Sequence, residues 1–365
     1  MQLRLEEDKA SSCRAIAYFL DTLPPTPERD GARELLLRDL CSRATELDPL
    51  ERAITLAETL QSVLPDTMRS AFDRDRLRLT EFETLRREKK QKRDVGIVTI
   101  VGPELRGLLT VLGRPHDAAP DERSGEFSYW FAEVKRLRQA PLTLVITIVA
   151  EARNVPCAIA VEHLLNDYDL DLLLLVGIAA GPKSKVKLGD VAYGDQVYDY
   201  EEYRLELMKL FGFITPLRRQ KPRPKYIGTR KQVKIALERF DPHKFLICFA
   251  ESIVRISEDV LPPGYARDKV PTVHDGTIAA GEKLIADRSL NRMQKRVDER
   301  IRAGAMEDSG FAQVAESKRI PWCIFRGISD YGDPRKQNGW QFISSVAASC
   351  AALTFLRSAW TSPNI

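Results

Sequence analysis

The sequence contains no Cys-x-x-Cys pair, no closely spaced histidines and no uncharged run long enough to cross a bilayer. Each absence removes a class of reading. The six cysteines, Cys13, Cys41, Cys157, Cys248, Cys323 and Cys350, stand far apart and mostly within apolar runs. That is the setting of reduced core thiols, not of a disulfide framework. The four histidines are scattered and give no metal-ligand spacing, so no metal is expected. The longest apolar stretches are broken by charge well short of a membrane helix. The opening MQLRLEEDKASS is too charged for a secretory signal, and a cytoplasmic chain with no membrane contact is expected. A net charge of only +4 on 365 residues gives no whole-molecule attraction to nucleic acid. What is present is ordinary globular composition, 44% hydrophobic and 30% charged, at a length that allows one large core plus a small module.

Two textures divide the chain. Residues 1–93 are rich in Leu, Arg and Glu, with apolar positions at helical spacing, as at Leu35, Leu36, Leu40 and Leu47. Pro24, Pro25 and Pro27 interrupt one helix. Asp48 then reads as an N-cap, with Pro49 at the first helical position and Glu51 closing a capping box. Pro65-Asp66 repeats the break. A small all-α domain of about four short helices is expected over 1–93, serving as an adaptor for a protein partner. It ends in the charge run Arg86-Arg87-Glu88-Lys89-Lys90-Gln91-Lys92-Arg93. That run reads either as a solvated helix end and linker or as a nucleic-acid contact. The acids of the helices offset most of their bases, which weighs against nucleic acid.

Over 94–361 strands alternate with helices. Val95–Val101 reads as a strand buried on both faces. Further strands are expected at Phe127–Val134, Leu142–Val149, Leu172–Val176, Val191–Tyr193, Val270–Ala279 and Trp322–Arg326. Helices fit Val155–Asn166 and Asp308–Lys318. This is the pattern of an α/β/α sandwich around one central mixed sheet. In such sheets the site lies at the carboxyl ends of the strands.

Four segments carry candidate chemistry there. Glu104 follows the first strand in Val101-Gly102-Pro103-Glu104; it reads as a general base or as an acid facing a helix dipole. Small residues follow a second strand at Gly177-Ile178-Ala179-Ala180-Gly181, with Gly189-Asp190-Val191 beyond, which suits a ligand approached by backbone or a tight turn. Val273-His274-Asp275-Gly276-Thr277-Ile278-Ala279-Ala280-Gly281-Glu282 repeats that form with a titratable side chain nearby. Ala305-Met306-Glu307-Asp308-Ser309-Gly310 and Phe325-Arg326-Gly327-Ile328-Ser329-Asp330 each set an acid beside a strand end.

Taken in order, these segments resemble the purine nucleoside phosphorylase superfamily, particularly its methylthioadenosine/S-adenosylhomocysteine nucleosidase branch, over about residues 94–360. The tail Asp333-Pro334-Arg335-Lys336, Trp340-Gln341 and Val346-Ala347-Ala348 resembles a narrower group of phosphorylase-like effector domains joined to helical adaptors in bacterial anti-phage systems. The resemblance implies cleavage of the N-glycosidic bond of a purine nucleoside or nucleotide without a cofactor, by a homo-oligomer. It assigns Asp330, with Ser329 beside it, to protonation of the purine, Glu307 to the ribose hydroxyls and Glu104 to the attacking water. Met306 would pack under the ribose, Gly177, Ile178 and Ala179 would approach the substrate by backbone, and Ala280, Gly281 and Leu284 would surround the base. An acid that protonates the base near neutrality has to hold its proton, which burial beside the base favours.

Phosphorylases of the superfamily place an arginine just before the glycine turn. Leu174, Leu175 and Val176 stand there in this sequence, which favours hydrolysis over the alternative of phosphorolysis. A nucleotide-sensing module without catalysis is the other alternative. Two departures bear on the substrate. Ala150-Glu151-Ala152-Arg153-Asn154 replaces the family's Gly-x-Gly turn, and Arg153 there is either a new anion contact or a surface charge paired with Glu151. Between Lys209 and Lys234 lie Arg218, Arg219, Lys221, Arg223, Lys225, Arg230 and Lys231 without an acid. The prolines of that stretch mark an extended loop suited to phosphates, or a solvated insertion. A phosphate-binding loop would make the substrate a nucleotide such as ATP.

Overall fold

The computed structural model describes residues 90–361, apart from 137–138, 202, 211–212, 223–224, 283–288 and 334–338, and only the backbone over 203–222. The helical reading of the N-terminal region, Cys13, Cys41 and Leu284 all lie outside the described residues.

Val95 to Ile100 alternates its side chains between two apolar cores. Val95 and Ile97 pack with Leu172, Leu174 and Val176 in one; Val98 and Ile100 pack with Leu173 and Leu175 in the other. Strands that bury both faces need helices on both sides of the sheet. In chain order the strands are β1 Gln91–Thr99, β2 Glu122–Ser124, β3 Phe127–Arg136, β4 Gln139–Ile148 and β5 Tyr168–Ala180. They continue as β6 Val191–Gly194, β7 Gln196–Asp199, β8 Tyr203–Leu210, β9 Phe213–Pro222 and β10 Lys225–Gly228. The last are β11 Val273–Asp275, β12 Thr277–Ala280, β13 Ile301–Ala305 and β14 Trp322–Asp330. The helices are α1 Gly102–Val111, α2 Asn154–Asp167, α3 Lys231–Glu238, α4 Pro242–Ile253, α5 Ser289–Arg296, α6 Asp308–Ser317 and α7 Trp340–Ser358.

The main sheet runs β10-β7-β12-β13-β5-β1-β4-β3-β2, with β14 on β5 and β6, and β11 on β6. β1 pairs in parallel with both β4 and β5. β3 and β13 join antiparallel, so the sheet is mixed. Leu105 and Leu108 of α1, Phe245 of α4 and Val346 to Leu356 of α7 fill the first core. Cys157 and Val161 of α2 and Phe311 of α6 fill the second. The expected α/β/α sandwich is present. Gly327 of β14 lies so close to the Ser344 carbonyl of α7 that any Cβ there would collide with it. The packing of α7 on β14 therefore requires glycine.

Several local expectations change. β1 starts at Gln91, inside the charge run, because Gln91 to Arg93 pair in register with Tyr168 to Leu170 of β5. Lys92 is neutralised by Asp171 at 2.6 Å and Asp169 at 3.5 Å, and Arg93 stacks over Phe131 at 4.5 Å. The strand expected over Val270–Ala279 is two, β11 and β12, which pair with different neighbours. The basic stretch expected to be an extended loop is largely regular. β8 and β9 form a separate antiparallel pair, and β10 and α3 follow. Each strand of a two-stranded sheet has an open edge where a missing N–H is tolerated. Pro216 moreover falls at the irregularity between the Leu207–Arg218 and Lys209–Ile214 pairs.

Candidate active site

The carboxyl ends of β1, β5, β13 and β14 meet around a cavity of about 240 Å³. Glu104 enters from the first turn of α1. Pro103 opens that helix without needing a partner for an N–H. Glu104 is 1% exposed. Its Oε2 accepts hydrogen bonds from the Ile100 and Val101 N–H groups at 2.5 and 3.1 Å. Its Oε1 accepts from the Ile178 N–H at the end of β5 at 2.7 Å. A carboxylate offers about four acceptor sites, so three backbone donors leave roughly one for a water in the cavity. Burial pushes this carboxyl above its ordinary range, and Arg326 and the three backbone N–H groups oppose the rise only partly.

Arg326 is the residue that ties the site together. It is fully buried in β14. Its Nη2 donates to Glu307 Oε1 at 2.8 Å and to Asp308 Oδ2 at 3.0 Å, and its Nε to Asp308 Oδ1 at 3.0 Å. Nη1 donates to the Ile178 carbonyl at 3.3 Å and lies 3.6 Å from Glu104 Oε1. One guanidinium thus faces three buried carboxyls, and its own pKa is driven further up by them despite burial. Glu307, at the N-cap of α6, also accepts from the Met306 N–H at 3.0 Å. Burial first, opposed by Arg326, then the negative charges of Asp308 and Glu104, push Glu307 up to about 7.

Asp330 ends β14 and is half-buried. Its Oδ1 accepts from the Gly332 N–H at 2.8 Å, and Ser329 Oγ lies 3.2 Å from Oδ2. Glu104, Glu307 and Asp330 face the cavity together, with Met306, Ile178, Ala179 and Ser329 also in its wall. Gly177 stands just behind it: a Cβ there would collide with the Glu104 carboxyl and the Arg326 guanidinium. Ala280 and Gly281 flank the site without lining it. The Gly281 N–H donates to the Ala305 carbonyl at 3.3 Å, and Tyr200 packs against Gly281.

Arg153 is 63% exposed, its Nε lies 4.0 Å from Glu151, and it is absent from the cavity wall. Of its two readings, the geometry matches the surface charge. Gly189-Asp190 and His274 also lie apart from the cavity. Asp190 accepts from the Lys187 and Thr272 N–H groups and sits 3.0 Å from His274 Nε2, stitching β6 to β11. Burial opposes its ionisation, but these hydrogen bonds outweigh burial and hold it below its ordinary value.

Tyr200 lines the cavity with no motif to mark it, and Gln341 and Ala152 line it although their motifs assign them no role. Arg326 was quoted in its motif but given no role. The signal for it was available: a charge inside the apolar run Trp322-Cys323-Ile324-Phe325 has to be paired.

The turn that replaces Gly-x-Gly carries a conformational cost. Ala150 has φ +67°, the left-handed region where a Cβ costs roughly 1 kcal/mol. Ala150→Gly is expected to raise stability by up to about 1 kcal/mol in urea unfolding, net of the extra freedom of the unfolded chain. A loss of stability instead would mean that the methyl group packs.

Residues 94–356 match the family model described as the phosphorylase superfamily. The chain is 28% identical over 267 residues to the ATP nucleosidase Cap17 of Escherichia coli, covering 72% of this chain and 51% of that protein. It thus spans about half the length of the curated relatives it matches at that level. It is 23% identical over 213 residues to the 5′-methylthioadenosine/S-adenosylhomocysteine nucleosidase of Mycobacterium tuberculosis, covering 57% of this chain and 78% of that one. Among solved structures, the corresponding Neisseria meningitidis nucleosidase with methylthio-immucillin-A aligns with a TM-score of 0.49 at 16% identity, covering 73% of this chain and 99% of that one.

Proposed function

The chain belongs to the phosphorylase superfamily, and from that membership and its site we propose that it hydrolyses the N-glycosidic bond of a purine nucleoside or nucleotide. Breaking that bond leaves an electron-poor ribose and an electron-rich base, so the site has to supply a proton, a negative environment for the sugar and a nucleophile. Asp330 donates the proton to the base. Glu307 takes the ribose hydroxyls and, when ionised, stabilises the positive charge that builds on the ring. Glu104, anchored by three backbone N–H groups, orients a water with its remaining acceptor site and takes its proton. The raised affinity of Glu104 for a proton suits that last step.

The observation that carries this reading is the cavity wall. It presents three carboxyls and, among the described residues, no cation. Arg326 is committed to Glu307, Asp308 and the Ile178 carbonyl. Inorganic phosphate would meet carboxylates and no counter-charge, so water is the nucleophile. The likeness to an ATP nucleosidase supports a nucleotide substrate, ATP with release of adenine, and a role as a regulated effector in anti-phage defence. In that role the N-terminal region serves as an adaptor for a protein partner, its boundary with the catalytic domain falling at Lys90 and not at Arg93 because Gln91 to Arg93 belong to β1, and the protein works in the cytoplasm as a homo-oligomer.

Incubating the full chain with adenosine, methylthioadenosine, AMP and ATP, with and without phosphate, tests the reading. Free base and an unphosphorylated C1 hydroxyl on the sugar product are expected, independent of added phosphate. A C1-phosphorylated sugar formed only with phosphate would make the protein a phosphorylase. No base release from any purine would leave a binding module.

A further inference from the structure

A second cavity, of about 420 Å³, lies beside the first and shares Gln341 with it. Its character is opposite. Arg106, His116 and Arg255 line it, Thr110 and Ser257 add hydroxyls, and among the described residues no acid is in its wall. Arg106 and Arg255 are exposed, and neither side chain has an ion pair or hydrogen bond with another described residue. Some other arginines of this unit are engaged, Arg114 by Asp121, Arg300 by Asp275 and Arg267 by two carbonyls; what sets Arg106 and Arg255 apart is that both line one cavity. Glu258, next to Ser257 in the chain, is 90% exposed and is not in the cavity wall.

Helix α1 connects the two cavities. It turns Glu104 inward to the carboxyl-lined cavity, while Pro103, Arg106 and Thr110, at helical spacing, face the second. A nucleotide with its base and ribose among three carboxyls cannot leave its phosphates there. The neighbouring cavity supplies the opposite charge in the form that suits phosphate oxygens, two guanidinium forks with hydroxyl donors.

We infer that the Arg106–His116–Arg255 cavity is the subsite for the 5′-phosphates of a nucleotide substrate, which reaches it past Gln341. This rests on the nucleosidase reading above and extends it to the substrate class. It also assigns the phosphates to this cavity in place of the basic β8–β9 segment.

The test compares the full chain with Arg106→Ala/Arg255→Ala and, separately, Arg218→Ala/Arg219→Ala. In the first variant the ratio of kcat/KM for ATP to that for adenosine is expected to fall at least tenfold. Inorganic tripolyphosphate is expected to inhibit ATP cleavage competitively in the unmodified chain, and to bind at least tenfold more weakly to this variant by calorimetry. An unchanged ratio overturns the subsite, as does a fall confined to the Arg218/Arg219 variant. Tripolyphosphate that binds without competing with ATP overturns it too, since the anion is then a separate effector. If no substrate releases base, the nucleosidase reading fails. Calorimetry with tripolyphosphate then decides the subsite alone: equal binding to all three proteins overturns it.

Discussion

Asp330→Asn is expected to lower base release by about 10²- to 10⁴-fold, the usual contribution of a positioned general acid, while the protein stays folded and still binds nucleotide. The reason lies in what each oxygen of Asp330 does. Oδ1 accepts the Gly332 N–H at 2.8 Å, and an asparagine carbonyl can accept it equally well. Oδ2 has the Ser329 hydroxyl at 3.2 Å, and that hydroxyl can rotate to accept from an amide instead. The strand end therefore keeps its geometry, and a half-buried isosteric change away from the apolar cores shifts stability little, by about 0.5 kcal/mol or less. What is lost is the transferable proton. Single-turnover release of adenine, read beside nucleotide binding and the thermal midpoint, separates chemistry from folding. A rate equal to that of the unmodified chain removes Asp330 from the mechanism, and a parallel loss of binding makes it a binding group. Normal binding with no release in either protein would favour the nucleotide-sensing module.

The parts of the fold that were legible in the sequence are those whose burial is one-dimensional. β1, β4 and β14 hold apolar runs of strand length, α2 follows β4, and α6 precedes β14. Helix α7 carries no helix signal in the sequence beyond the short motif Val346-Ala347-Ala348. Every residue from Ile343 to Leu356 is buried, so the helix has no polar face and no amphipathic period to detect. β13, Ile301–Ala305, was missed because it is short, holds an arginine and a glycine, and gains its identity only by pairing with β12 and β5. β5 extends back to Tyr168 through Asp169 and Asp171. Those acids look like a turn until Lys92 is seen opposite them.

The site divides in the same way. Glu104, Glu307 and Asp330 were visible because each acid follows a strand end, and the structure brings all three to one cavity. The pairing that sets their charge was not visible, because Arg326 meets Glu104 across a separation of more than half the described chain. The second cavity was equally hidden. Arg106 stands in α1 and Arg255 in the turn after α4, nearly 150 residues apart, and only the fold sets them together.

Arg326→Met is expected to cost about 3–5 kcal/mol of stability at pH 7.5, the typical penalty for removing one partner of a buried ion pair. Methionine fills much of the volume, so the deficit comes chiefly from Glu104, Glu307 and Asp308 left without their shared cation. The deficit should depend on pH with a definite sign. Glu307 has a folded-state value of about 7, raised from an ordinary 4.5, and Glu104 is raised as well. Folded protein therefore binds more protons than unfolded protein between about pH 4.5 and 7. The contribution of these groups is fully present below about 4.5 and is lost as pH rises through 7. Without Arg326 both carboxyls are pushed higher still, and the loss on raising pH is steeper. Urea midpoints from pH 5 to 8 should show the variant falling away from the unmodified chain as pH rises, with the gap narrowing toward pH 5. Arg326→Lys should recover part of the loss, because an ammonium restores the charge but not the fork that binds Glu307 and Asp308 together. A gap independent of pH would show that Arg326 acts through packing and not through the three carboxyls it joins.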